Sequence, residues 1–332
     1  MTIDFVIPWV DGNDPAWQEE RRKYKPDTGA DASVARYRDM GLLKYWFRAV
    51  EAYAPWVNQI HFITWGHLPD WLNTDHPKLH IVNHKDYIPA EYLPTFSSHP
   101  IELNIHRIQG LSEHFVYFND DMLLNGPVEP DFFFHKGMPC DFAYINNIYN
   151  SDSTEIFEHI RINCTWAINN HYSYIKSFLN HPMKYVSWRY PIKFLLKNIL
   201  KLENLSNFQG FVEHHLPSAY LKSTLEETWQ ESSEILRYTS CNRFRTPLDV
   251  SQYIFRYKQL AQGKFHPVSA SSRGKLTFMN CEVSSIQRDI MDPKLKMICI
   301  NDVSSVENYE TVAAAIHSIY EKKLPVKSRF EK

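Results

Sequence analysis

Four short apolar segments punctuate the first 125 residues, and what lies between them constrains the fold more than anything else in the chain. They are 3–10 (IDFVIPWV), 59–66 (QIHFITWG), 78–84 (KLHIVNH) and 114–120 (HFVYFND). All are rich in Val, Ile, Phe and Tyr, which suit a pleated, half-buried surface, and the middle two alternate in part. Between the first two, 38–55 carries Leu42, Leu43, Trp46, Phe47 and Val50 at helical spacing and closes at Pro55. Between the last two, 97–114 offers Ser97 or Ser98 as a cap and Pro100 in the first turn, followed by a stripe of Ile101, Ile105, Ile108 and Leu111. Strand, helix, strand, strand, helix, strand predicts an α/β chain whose mostly parallel sheet is flanked by helices. With 332 residues, 44% of them hydrophobic, the chain can bury the core that such a sheet requires.

The fourth segment ends in Asn119, Asp120 and Asp121 before an apolar run resumes at Met122. Adjacent carboxylates repel, and burying either is costly without a cation or donors. Two readings stand: a turn, since Asn and Asp bond their own backbone, or a divalent cation at the carboxyl edge of the sheet. A late strand pattern, 294–303 (KLKMICINDV), ends in the same dipeptide, Asn301–Asp302, and the first strand runs into Asp11, Asn13 and Asp14. A magnesium site takes few carboxylates and fills its other positions with water and substrate phosphate, so distant aspartates meeting at one edge would suit it.

Other polar residues sit where they could join such a site. Glu102 falls in the first turn of the 97–114 helix, with His106 one turn later. EHHLP (213–217), with His214 and His215, opens a helix expected over 216–236. In NRFRTPLD (242–249), Arg243 and Arg245 would share a face of an extended chain, either to grip phosphate oxygens or to bridge to Asp249. Further helices are expected at 250–263 and 308–325. The basic, amphipathic stretch 184–205 spaces Lys193, Lys197 and Lys201 every four residues, with Phe194, Leu195, Ile199 and Leu202 on its apolar side and Trp188 and Tyr190 beside it. It fits either a helix packed on the body or one lying on a membrane surface.

Several classes fall away. A net charge of −2 argues against a general nucleic-acid binder. Five scattered cysteines without a C-x-x-C pair signal neither a zinc knuckle nor a disulfide framework and suit a reducing compartment. The N-terminus enters a strand pattern directly, and no apolar run approaches the ~20 residues that span a bilayer. The expected location is cytoplasmic, or peripheral at the inner face of the membrane. Glycine-rich phosphate loops, G-x-S-x-G and H-E-x-x-H are missing from the sequence.

The segments IDFVIPWVDGNDPAW, RYRDMGLLKYWFRAVEAYAPWVNQIHFITWGHLPDWL, LPTFSSHPIELNIHRIQGLSEHFVYFNDD, EHHLPSAYL with NRFRTPLDVSQY, and ICINDV resemble the ordered blocks of the Stealth family of sugar-phosphate transferases, across residues 3 to about 305. The resemblance implies one catalytic domain on a glycosyltransferase-A-like, Rossmann-type core. It has a nucleotide-binding half at 1–135, a mainly helical insertion and acceptor region at 140–265, and a returning strand and helix at 266–332. It implies a UDP-sugar donor, Mg2+ or Mn2+, and transfer of the sugar together with its phosphate to a hydroxyl of a lipid-linked saccharide, releasing UMP. By matching position, Glu102, Asp121, His215, Arg245 and Asp302 look catalytic, and Asp120, Asp121 and Asp302 would hold the cation. WVDGNDP (9–15) would cradle the uridine, and Asp11, Gly12, Asn13, Asp14, Arg38 and Asn119 would contact the donor. Two positions depart from the family pattern. Met40, Gly41 and Leu42 follow Arg38–Asp39 where members often carry Asn and Glu, and Pro8 stands where many have Thr. Two alternatives remain, a metal-dependent glycosyltransferase that releases UDP and a non-catalytic glycan-binding subunit.

Overall fold

The computed structural model describes residues 1–24, 37–149, 156–201, 206–302, 306 and 308–332. The four anticipated strands are present: β1 (Ile3–Pro8), β2 (Ile60–Thr64), β3 (Leu79–Asn83) and β4 (His114–Tyr117). Among the described residues seven more follow: β5 (Met122–Leu124), β6 (Phe134–His135), β7 (Met138–Asp141), β8 (Ser218–Leu221), β9 (His266–Pro267), β10 (Gly274–Phe278) and β11 (Met297–Asn301). The main sheet has the order β3-β2-β1-β4-β8. Its first four strands are parallel, with Phe5 opposite Ile60 and Val116, and β8 closes the edge antiparallel to β4.

Alternation along β1 divides the core. Phe5 and Ile7 face one apolar cluster with Trp46, Phe47 and the helix Tyr309–Lys323, whereas Val6 faces another with Phe115, Leu103 and the helix Tyr253–Ala261. Phe5, Val6 and Ile7 are fully buried, and each such side chain contributes roughly 1.5–3 kcal/mol. Asp4 lies in the same strand with no exposure, and its carboxylate accepts from Asn58 Nδ2 (2.7 Å), Ser112 N (2.8 Å) and His61 Nε2 (3.2 Å).

Three departures from the sequence reading bear on the site. The 97–114 helix stops after Ser98–Leu103 and a single tight turn at Ile105–Arg107, because Asn104 donates its side-chain amide back to the Pro100 carbonyl. The long 216–236 helix is instead strand β8 followed by two helices, Lys222–Glu231 and Ser233–Ser240. Pairing with β4 takes residues 218–221, so His215 precedes a strand and not a helix. The late strand β11 leaves the main sheet and pairs antiparallel with β5, Cys299 opposite Met122. Within 184–205, one helix runs Ile192–Leu200, and residues 202–205, with Leu202, lie outside the described residues.

Candidate active site

The β11–β5 pairing brings the two Asn-Asp ends together. Ile300 N donates to the Asp121 carbonyl at 2.9 Å, and Asn301 Nδ2 to Asp121 Oδ2 at 3.2 Å. The carboxylate doublet is a turn and a site component at once: Met122 N closes on the Asn119 carbonyl at 3.1 Å, while Asn119, Asp120 and Asp121 line a cavity of about 250 Å³. His215, Arg245, Asn301, Asp302, Arg38 and Asp39 line the same cavity.

Asp121 Oδ2 also accepts from Cys299 Sγ at 3.2 Å and lies 3.5 Å from His215 Nε2. Burial pushes the Asp121 carboxyl up, but hydrogen bonding to His215 and its charge, with Cys299 and Asn301, hold it below the usual carboxylate range. The reciprocal holds for His215, where burial works downward and Asp121 outweighs it. Asp120 differs: burial, with Asp121 and Asp39 as like charges, pushes it up to about 8. Asp39 is raised by burial and accepts from Gly41 N (2.7 Å) and Trp9 Nε1 (3.0 Å).

His215 is held in place by its neighbours. Its φ of 45° is left-handed, a conformation that non-glycine residues keep only where surroundings impose it. Glu213, two residues earlier, is bound by Arg256 Nη1 at 3.1 Å and by Tyr257, and the same guanidinium grips Asp141 through two bonds of 2.8 and 2.9 Å. Arg256 is fully buried. Leu216 N donates to His214 Nδ1 at 3.0 Å, turning the chain into β8.

Two arginines face the cavity with partners of their own. Arg38 pairs with Asp302 at 2.8 Å and lies 4.4 Å over the Tyr309 ring. Arg245 Nη2 donates to Ser98 Oγ at 2.9 Å, the serine that begins the short helix. Arg243 does not join it: its guanidinium lies over the Tyr24 ring, and Asp249 is taken by His99, Asn242 and Thr246 instead.

Glu102 is buried behind the site and accepts from Gln252 N at 3.2 Å, outside the cavity lining; its negative charge still favours the protonated form of His215. His106 packs against Trp229, and burial lowers it to about 3. Asp11, Gly12, Asn13 and Asp14 also stand outside the lining. Asp11 Oδ1 accepts from Asn13 N (2.8 Å), and Asp14 Oδ1 caps the helix Pro15–Arg22 at Trp17 N (2.7 Å). Gly12 passes so close to Tyr37 that a β-carbon would fall 2.1 Å from its carbonyl oxygen. The loop's own carboxylates are spent on a turn and a cap; Trp9 and Val10 before it and Trp17 in the helix after it line the cavity, Trp17 packed against Tyr37 and Phe96. Trp17, Tyr37, Phe96, Asp39, His84 and Cys299 are the parts that the sequence reading did not single out. Trp9 stood within WVDGNDP, the stretch expected to cradle the uridine, and Trp17 in the same quoted block drew no reading of its own.

The donor set fits a divalent cation. Among the described residues Asp121 Oδ1 is buried without a hydrogen-bond partner, and Asp121 and Asp39 act as like charges on the buried Asp120. Atoms of Asp121, His215 and Cys299 also lie within 4.8 Å of one another, but a thiol suits a softer ion than Mg2+ or Mn2+, so the fit to a hard cation rests on the carboxylates.

The conserved region 2 model of Stealth proteins matches residues 36–141, and the conserved region 1 model matches residues 1–29. The chain is 40% identical over 334 residues to capsular polysaccharide phosphotransferase WcwK of Streptococcus pneumoniae, covering 99% of each chain. It is 40% identical to exopolysaccharide phosphotransferase cps2G of Lactiplantibacillus plantarum, covering 99% of this chain and 96% of that one. To receptor polysaccharide phosphotransferase WefC of Streptococcus gordonii it is 39% identical, over 99% and 98% of the two chains. Fold and relatives together define a phosphotransferase enzyme on an α/β scaffold. The chain belongs to the Stealth family.

Proposed function

We propose that the enzyme moves a hexose 1-phosphate from a UDP-sugar to a hydroxyl of a lipid-linked saccharide during synthesis of a surface polysaccharide, releasing UMP. The observation that supports this most is the convergence of His215, Asp121, Arg245 and the Arg38–Asp302 pair on one cavity walled by aromatic rings. The aromatic wall of Trp9, Trp17, Tyr37 and Phe96 suits a base and ribose, and the arginines suit phosphate oxygens. Asp121 and Asp302, with Asp120, would hold Mg2+ or Mn2+. When bound, the ion would neutralise charge on the diphosphate.

The acceptor oxygen bonds to the phosphorus next to the sugar, the bond from that phosphorus to the UMP oxygen breaks, and UMP leaves as the anion. The anomeric carbon is untouched, so its configuration is kept. His215 takes the acceptor's proton. Asp121, 3.5 Å away, favours the imidazolium that results. Of the two candidate bases, His215 lines the cavity and Glu102 does not, which supports His215 as the base and Glu102 as a buried charge that reinforces it. Arg245 stabilises the transferring phosphoryl oxygens.

Nucleotide release from a panel of UDP-sugars, with divalent cation and a lipid-linked acceptor, tests the proposal. UMP is expected with the matching pair only, with a loss of at least about a hundredfold in Asp121→Asn. UDP as the product would mean that the anomeric bond breaks and would overturn the mechanism.

A further inference from the structure

The helix Ile192–Leu200 turns an apolar face to solvent. Ile192, Leu196, Ile199 and Leu200, at i, i+4, i+7 and i+8, form one stripe along the helix, and they are 68%, 53%, 43% and 63% exposed. The side that packs inward is held largely by a polar residue. Asn198 is fully buried, donates to the Ala143 and Tyr185 carbonyls at 2.7 and 2.8 Å and accepts from Ile145 N at 3.0 Å, while Phe194 stacks on Tyr144. An ordinary surface helix buries its aliphatic stripe and exposes its polar side. Here the stripe faces out, and just before it Trp188 stands 78% exposed with Arg189 stacked on its ring at 4.7 Å.

Charge identifies the partner. Between residues 159 and 201 the sequence has seven lysines and arginines and not one aspartate or glutamate, in a chain whose net charge is −2. Arg189 and Lys193 are exposed beside the stripe, whereas Lys197 and Lys201 reach back to the side chains of Asn146 and Asn147. An aliphatic stripe with an exposed tryptophan and flanking cations is the composition that inserts at the headgroup boundary of an anionic bilayer. No helix among the described residues is long and apolar enough to cross a membrane.

We infer that Trp188 and the Ile192–Leu200 helix form a docking face for an anionic lipid surface. The inference concerns where the enzyme sits and is independent of which bond it breaks, so it is tested without turnover. The full chain is pelleted with vesicles of phosphatidylcholine alone or mixed with phosphatidylglycerol. Binding is expected to require the anionic lipid and to fall with added salt. It should weaken about tenfold or more both in Arg189→Glu/Lys193→Glu and in Leu196→Ser/Leu200→Ser. Because these side chains are exposed, the melting temperature of both variants should match the parent, which separates lost docking from lost fold. Absent binding, or equal binding to neutral and anionic vesicles, would overturn the inference. A concentration-dependent dimer in sedimentation velocity that Leu196→Ser/Leu200→Ser abolishes would give the face to a second copy, and would overturn it equally.

Discussion

At the residue scale, His215 meets Asp121 inside the cavity. Its approach to Asp121 and the negative charges of Glu213 and Glu102 favour the protonated imidazole, and its left-handed backbone holds the ring where they act. His215→Gln is expected to lower kcat by about a hundredfold or more, since a positioned general base contributes roughly 10²–10⁴-fold. Glu102→Gln should chiefly lower stability, because its contact is to the backbone of Gln252 and not to the cavity. Single-turnover rates and melting curves for the two variants check this; the reverse ranking would make Glu102 the base. In metal-free protein, Asp121→Asn should bring the His215 pKa below the usual 6.5, since burial would then act with less opposition. An NMR titration of the ring protons reads that shift, and an unchanged value would contradict the pairing.

At the scale of elements, the buried Arg256 couples the helix Tyr253–Ala261 to β7 through Asp141 and to the His215 segment through Glu213. Breaking such a network by removing one partner leaves charges uncompensated, so Arg256→Met should cost about 3–5 kcal/mol in denaturant unfolding. Turnover of the remaining folded protein should fall as well. Asp4 in β1 supplies the pH dependence. Burial pushes its carboxyl up, but His61, Asn58 and Ser112 outweigh this and hold it below its ordinary value. A lowered folded pKa gives stability that is present above the unfolded value near 3.9 and is lost as pH falls through the folded one. The stability gap between the parent and Asp4→Asn should therefore be full at neutral pH and close in acid, as unfolding curves across that range would report.

The elements also show what the sequence made legible. The four parallel strands could be read because each is a short run of β-branched and aromatic residues set off by helix patterns. The strand Ser218–Leu221 could not, because four residues inside a helix-like run carry no period of their own and only pairing with β4 makes them a strand. For the same reason the 97–114 helix looked longer than it is: its apolar spacing continues, but Asn104 turns its amide on the backbone and ends it.

Across the whole molecule, Asp121 and Asp302, distant in sequence, become neighbours of one cavity because β11 pairs with β5 and not with the main sheet. The repeated Asn-Asp pointed to both ends, but sequence has no term for which strand a late strand will join. Asp121, His215, Arg245 and Asp302, which line the cavity, stood out in the sequence as polar residues at strand and loop ends; Trp17, Tyr37 and Phe96 did not, because a lone aromatic carries no pattern that separates a cavity wall from core. The C-terminal residues then tie this assembly to the first half: Arg48 in the helix Leu43–Tyr53 pairs with Glu321 at 3.0 Å and with Glu331 at 2.8 Å. The central claim is that sugar and phosphate travel together. It is tested most directly with a UDP-sugar radiolabelled in the phosphate next to the sugar, incubated with cation and a lipid-linked acceptor. Label is expected in the acceptor product, with unlabelled UMP in solution. Label retained in soluble UDP, with an unlabelled product, would contradict it.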